Sequence, residues 1–284
     1  MGASNTNRGT FTQPNGKPLL QRLCDMVVEE FSGGKRPRNS EIQRICSLLR
    51  SVPLEELGVK APAGANTKPD TKALKPNWAP PITYLHIYEC EKFSMGIFCL
   101  PKHATIPLHN HPGMTVFSRV LYGNMHVRSL DISQRPRGIS LPPASGQFAR
   151  VVGDRVVTAD EPPAVLFPNA GGNIHSFTAL TDCAVLDVLS PPYSQDEGRD
   201  CTYYQESRIC RDGGGGAGGE ILLLKEYEPP MDFVVLRGTY EGVAVTDPSK
   251  DGDKGDAPGF CGPVPAVTAD DNSESLQRLS LGSD

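Results

Sequence analysis

Between Ile82 and Leu189 the sequence is a succession of short β-rich runs, and their spacing constrains the fold more than any other feature of the chain. The runs are Ile82–Cys90, Phe93–Leu100, Thr115–Leu121, Met125–Leu130, Phe148–Val152, Val156–Thr158, Ala164–Phe167, Ile174–Thr178 and Ala184–Leu189. Many short strands at close spacing predict a sandwich or a barrel, an all-β core. The 284 residues include 29 glycines and 26 prolines, which favour the many turns of such a fold over a helix bundle. Val152-Gly153-Asp154-Arg155 has hairpin-turn chemistry, so the chain is predicted to reverse there. Ile221–Leu224 and Phe233–Leu236 can add edge strands, which puts the barrel at about residues 82–236.

Ahead of the barrel, Leu19, Leu20, Leu23, Met26, Val27 and Phe31 recur at helical spacing, and Gly33-Gly34 closes that helix. Ile42, Ile45, Leu48 and Leu49 form a second apolar stripe, with Ser40 and Gln43 as its capping box and a stop before Pro53. Both helices are expected to pack outside the barrel. A linker runs from Ala61 to Pro76, and Arg135–Pro143 is a Pro-rich loop. Gly213–Gly219 reads as a flexible loop; it lacks the Lys-Ser/Thr of a phosphate-binding loop. The organisation expected is a disordered stretch 1–16, one domain over 17–245 whose helical part is 17–58, and a disordered acidic tail 246–284.

The net charge of −5 resides in that tail, where residues 247–284 hold eight acids and three bases. The rest balances, so no basic face for nucleic acid is implied. No apolar run reaches the roughly 20 residues needed to span a bilayer. The N-terminus shows no hydrophobic signal region, and the eight cysteines at 24, 46, 90, 99, 183, 201, 210 and 261 include no Cys-x-x-Cys pair. Reduced thiols in the cytoplasm or nucleus are therefore expected. Gly2 with Thr6 meets a loose myristoylation pattern, and Lys35-Arg36-Pro37-Arg38 meets a weak nuclear signal; a frayed terminus and a solvated loop are the plainer readings.

The chemistry centres on Leu108-His109-Asn110-His111-Pro112-Gly113-Met114. In a strand, residues i and i+2 share a face, so His109 and His111 would aim two imidazoles at one point, as a metal requires. His175 can complete the set if the fold brings it back. His86, His103 and His126 are spare histidines with weaker claims.

The order His109-x-His111, Gly123, His175 resembles the two motifs of the cupin superfamily, which are double-stranded β-helix (jelly-roll) barrels. The family's usual glutamate ligand is missing: Thr115 and Val116 stand at its positions. Three neutral histidines leave a divalent ion its full charge, which favours an anionic ligand such as a thiolate and leaves open positions for it and for O2. Leu108–Met114, Arg119-Val120-Leu121-Tyr122-Gly123, Asn173-Ile174-His175-Ser176-Phe177, Val185–Leu189 with Asp187, Pro191-Pro192-Tyr193 and Cys201 ahead of Tyr203-Tyr204 resemble the plant cysteine oxidases, relatives of animal cysteamine dioxygenase. The resemblance covers about residues 17 to 240. It implies an Fe(II) enzyme, one ion per chain, that uses O2 to oxidise the N-terminal cysteine of a protein to its sulfinic acid. It further implies group VII ethylene-response factors as targets, the arginylation N-degron route as their fate, and oxygen sensing in hypoxia by a monomer in cytoplasm or nucleus.

Asp187 lies on an otherwise apolar strand, where a carboxylate needs a partner. It is expected either near the iron, orienting a ligand or receiving the substrate's amino group, or in a structural salt bridge. Tyr193 follows a Pro-Pro turn and is read as a donor to the bound thiol or oxygen, or as a packing residue. Cys201 is read as a channel wall, a core thiol, or a partner in a Cys–Tyr crosslink. Two other functions compete: a dioxygenase of small thiols, and a metal-binding cupin without turnover. No arginine clamp is obvious near His109, which argues against free cysteine. A purely structural metal site would have four ligands.

Overall fold

The computed structural model describes residues 16–32, 37–68, 80–136, 146–211 and 220–246. Gly2 and Thr6, the Lys35-Arg36 part of the basic run, Gly33-Gly34, the linker from 69 on, most of the Pro-rich loop, Gly213–Gly219 and the tail from 247 lie outside the described residues. The described residues form two compact units: the N-terminal part to Lys60 with the stretch from Glu241 to Thr246, and Ala61 to Tyr240.

The first unit holds α1 (Leu19–Phe31) and α2 (Asn39–Ser51). Their apolar stripes, Leu20, Leu23 and Val27 on one and Ile45 and Leu49 on the other, are wholly buried. The cap of α2 differs from the expected Ser40/Gln43 pair. Arg38 is the N-cap, and its N–H donates to Glu41 Oε2 at 2.6 Å. Glu, an acid in the first turn, serves the orphan N–H groups better than Gln. The buried Glu56 carboxylate accepts from Leu19 N (3.2 Å) and Leu20 N (2.9 Å), doing the same for α1. The chain returns to this unit at its far end. Val243 N donates to Glu56 O at 2.7 Å, and the Gln21 side chain donates to Thr246 O at 2.9 Å and accepts from Thr246 N at 2.8 Å. Gln21 thus binds both main-chain groups of Thr246.

The second unit is the expected all-β fold, with twelve strands among the described residues. The first sheet has the order β12 (Val235–Gly238), β1 (Ile82–Glu89), β2 (Ser94–Leu100), β9 (Cys183–Ser190), β4 (Thr115–Tyr122), β7 (Ala164–Leu166). The second runs β10 (Tyr204–Arg211), β11 (Glu220–Glu226), β6 (Gln147–Thr158), β5 (Asn124–Ile132), β8 (Ile174–Ala179), β3 (Thr105–His109). The interleaving of early and late strands in both sheets is that of a double-stranded β-helix. Ile82, Phe98, Leu100 and Val185 from the first sheet meet Ile106, Met125, Phe177 and Ala179 from the second in one core. Each fully buried side chain of this kind contributes roughly 1.5–3 kcal/mol, so this core holds the barrel together.

Two expectations about the second unit need correction. Residues 152–155 do not reverse the chain: β6 runs unbroken through them, and Gly153 pairs with Ser129 while Val151 pairs with Leu130. Val152 is the extra residue of a bulge, since the long partner β5 demands a continuous strand opposite it. Next, β11 is not an edge strand: it lies between β6 and β10, a strand the β-run pattern missed. The described start of the linker is held by two bonds: Gly123 N donates to Asn66 Oδ1 at 2.7 Å and Asn124 Nδ2 donates to Thr67 O at 2.9 Å.

Candidate metal centre

β3 is the edge of its sheet, so it tolerates Pro107, and it ends at His109. His111 thus lies just past the strand, and strand alternation alone does not aim it. A turn does: Met114 N donates to His111 O at 3.2 Å, and Gly113 has φ +69°. His175, the second residue of β8, lies directly across the ladder from His109. The three rings come together with centroids 4.6 to 4.9 Å apart. One ligand atom from each lies within 4.8 Å of the others, and all three residues are buried.

The rings are fixed by the main chain. His109 Nδ1 bonds Pro107 O at 2.9 Å, and His111 Nδ1 bonds Asn173 O at 2.8 Å. With Nδ1–H donated to a carbonyl, Nε2 carries the free lone pair, the arrangement of a metal-bound imidazole. Burial holds His109 down to about 4, His111 to about 3 and His175 well below the usual range, so all three are neutral at physiological pH. A buried, neutral, three-nitrogen donor set fits a divalent transition ion.

The other three histidines stand apart. His126 pairs with Asp154 at 2.7 Å on a half-exposed face. His103 occupies a turn at φ +75°, and His86 lies 6.2 Å from Tyr84.

Asp187 pairs across β4 with Ser118, facing the barrel interior with Val185. It is 7% exposed, and neither its Oδ1 nor Ser118 Oγ has a hydrogen-bond partner of normal geometry. Burial pushes its carboxyl up to about 7, and proximity to the Ser118 hydroxyl opposes this only in part. Among the described residues no ion pair involves Asp187, and His109 and His111 donate their Nδ1 protons to carbonyls instead. Tyr193 sits 5.9 Å from His111, but its hydroxyl donates to Asn110 O at 2.7 Å. Cys201 is in hydrogen-bonding contact with the Tyr193 and Tyr203 hydroxyls, and burial pushes its thiol up to about 12. Tyr203 itself stands 6.1 Å from His109 and forms a β-bridge with it.

Sequence reasoning missed the asparagines that tie these parts together. Asn110 Oδ1 accepts from Thr202 N at 2.8 Å, and its Nδ2 reaches Tyr204 at 3.2 Å. Asn173 Oδ1 accepts from His111 N at 3.2 Å, and its Nδ2 donates to His111 O at 2.8 Å. Their proximity to the histidines in sequence was the available signal. A cavity of about 240 Å³, lined by Val116, Ser118, Val127, Ser129 and Phe177, reaches His175. Arg155 and Glu161 line it too and are paired with each other.

The family model described as PCO_ADO matches residues 48–245. Plant cysteine oxidase 1 of Arabidopsis thaliana is 42% identical over 196 residues, covering 68% of this chain and 65% of that protein. The chain thus spans just under two thirds of that relative. Plant cysteine oxidase 2 of the same plant is 38% identical over 239 residues, 80% of this chain and 83% of that one. Human 2-aminoethanethiol dioxygenase is 38% identical over 232 residues, covering 67% and 82%. Among solved structures, KdgF from Halomonas sp. overlaps 40% of this chain and 81% of its own at 15% identity and a TM-score of 0.29. An RmlC-like cupin from Desulfovibrio desulfuricans overlaps 45% and 99% at 20% identity and a TM-score of 0.27.

Proposed function

The chain belongs to the PCO_ADO family of thiol dioxygenases, and on that premise we propose that it oxidises the N-terminal cysteine of target proteins to cysteine sulfinic acid. His109, His111 and His175 would hold Fe(II), with O2 as co-substrate. The observation that carries this reading is a buried cluster of three neutral imidazoles with no carboxylate among them. Bound there, a ferrous ion supplies the redox chemistry by which O2 reacts with a thiolate. The reaction balances without an external reductant: both oxygen atoms end on sulfur, the carbon–sulfur bond is kept, and sulfur supplies the electrons that reduce O2.

The chain's own residues do the rest. Pro107 and Asn173 carbonyls keep the tautomers of His109 and His111 fixed. The orphan Oδ1 of Asp187 favours its reading as the acceptor of the substrate's α-ammonium. Tyr193 holds the His111 loop through Asn110, and Cys201 lies behind it against Tyr203. The two Arabidopsis relatives support protein substrates that carry an N-terminal cysteine. The same kinship extends the reading to group VII ethylene-response factors, the arginylation N-degron route, and oxygen sensing by a monomer in cytoplasm or nucleus.

The test is to incubate the Fe(II)-loaded chain with a Cys-initiating peptide under labelled O2. A product carrying both labelled atoms is expected; an unmodified peptide or a disulfide overturns the reading. The human relative favours a second substrate class, 2-aminoethanethiol. Free cysteine fits less well, because the one arginine lining the cavity among the described residues, Arg155, is engaged by Glu161.

A further inference from the structure

Asp131 belongs to no step above, yet it is only 2% exposed, one residue before the end of β5. Its Oδ1 accepts from Gly172 N at 2.8 Å and Asn173 N at 3.2 Å, and its Oδ2 accepts from Gly171 N at 3.2 Å. Gly171 and Gly172 both have φ +84°, a left-handed conformation that turns successive N–H groups toward one anion. Gly172 is further confined because a Cβ there would meet Ser129 Cβ at 2.6 Å. The only cation near the carboxylate is Arg150 among the described residues, 3.8 Å away with a mostly exposed side chain. Three amides, not an ion pair, thus justify the burial of this charge.

The segment so held does two things at the metal centre. Asn173 grips His111 by three bonds, to its N–H, its carbonyl and its Nδ1. Two residues on, the same segment delivers His175 to its place opposite His109. We propose that Asp131 is a positioning residue that sets the metal affinity of the His109, His111 and His175 centre, by holding Gly171–Asn173 against His111. The proposal rests on the metal-centre reading of these histidines. Without the carboxylate, three buried N–H groups lose their acceptor, the left-handed pair relaxes, and His111 loses the carbonyl that fixes its tautomer.

The test uses the metal-free full chain titrated with Co(II), whose ligand-field absorption reports ligand number and geometry, with chelator competition for Kd. In Asp131→Ala that keeps its native circular dichroism, Co(II) affinity is expected to fall roughly 10–100-fold, with a shifted absorption band. Asp131→Asn is isosteric and can still accept from Gly172 and Asn173, so a smaller loss in the same direction is expected. Unchanged Kd and spectrum in folded Asp131→Ala, however low its Tm, overturn the proposal. Should Asp131→Ala fail to fold, unchanged values in Asp131→Asn overturn it equally. A wild-type chain that binds no Co(II) would instead defeat the three-histidine reading itself.

Discussion

At Asp187 two demands conflict: an apolar strand wants a hydrocarbon, and the proposed reaction wants an acid. Its carboxyl is raised from 3.8 to about 7, so between those values the folded metal-free chain keeps a proton that the unfolded chain has released. Stability attributable to this group therefore falls as pH rises from about 4 to about 7, by an upper bound on the order of 4 kcal/mol. Asp187→Asn should raise the Tm of metal-free protein at pH 8 and leave it unchanged at pH 4; the same scans would reject the idea if the gain were equal at both. With iron bound, the same variant should retain the metal but lose roughly 10²-fold or more in turnover. A normal rate with a much lower Tm would make Asp187 structural. His111→Ala is expected to lose metal and activity together, because two imidazoles grip Fe(II) poorly. Elemental analysis decides this, and near-normal iron and turnover would rule out the ligand set.

Individual elements show where local chemistry prevails and where pairing does. Gly123 joins β4 to β5 at φ +85°, and a Cβ there would meet Asp182 O at 2.3 Å and Cys183 Cβ at 2.5 Å. Backbone strain of about 1–3 kcal/mol, plus a clash with main chain, should make Gly123→Ala one of the most destabilising glycine substitutions in the barrel. Thermal melts check it, and a Tm within a degree of wild type would show that the hairpin can shift. Val152–Arg155 is the opposite case. Its residues suit a tight turn, but β6 passes straight through, because the full length of β5 pairs with it. Local turn chemistry is worth less than the ladder hydrogen bonds and side-chain pairs that a reversal would forfeit.

Across the whole molecule, the polar composition of 247–284 and the bonds of Thr246 make a sharp prediction about truncation. A chain ended after Thr246 should match the full chain in Tm and turnover. One ended after Tyr240 loses the Val243–Glu56 and Gln21–Thr246 bonds, each contributing about 0.5–1.5 kcal/mol, and should melt lower. Equal melting of the two truncations would show that the returning segment contributes nothing. N-acetylation of a Cys-initiating peptide should abolish its oxidation while extension at its C-terminal end does not; comparable turnover of the acetylated peptide would point to a general thiol oxidase. Sequence alone determined the β-barrel and the three histidines. Period-two patterning is written locally in each strand, and the His109-x-His111 spacing together with the family resemblance marked the histidines. Only tertiary structure decided what aims them: His111 lies beyond its strand and is held by Asn173, and Asn173 by Asp131, residues 62 and 42 positions apart. Hydrogen bonds across such separations leave no period in the sequence, since their partners are chosen by the register of the sheets and not by their neighbours along the chain.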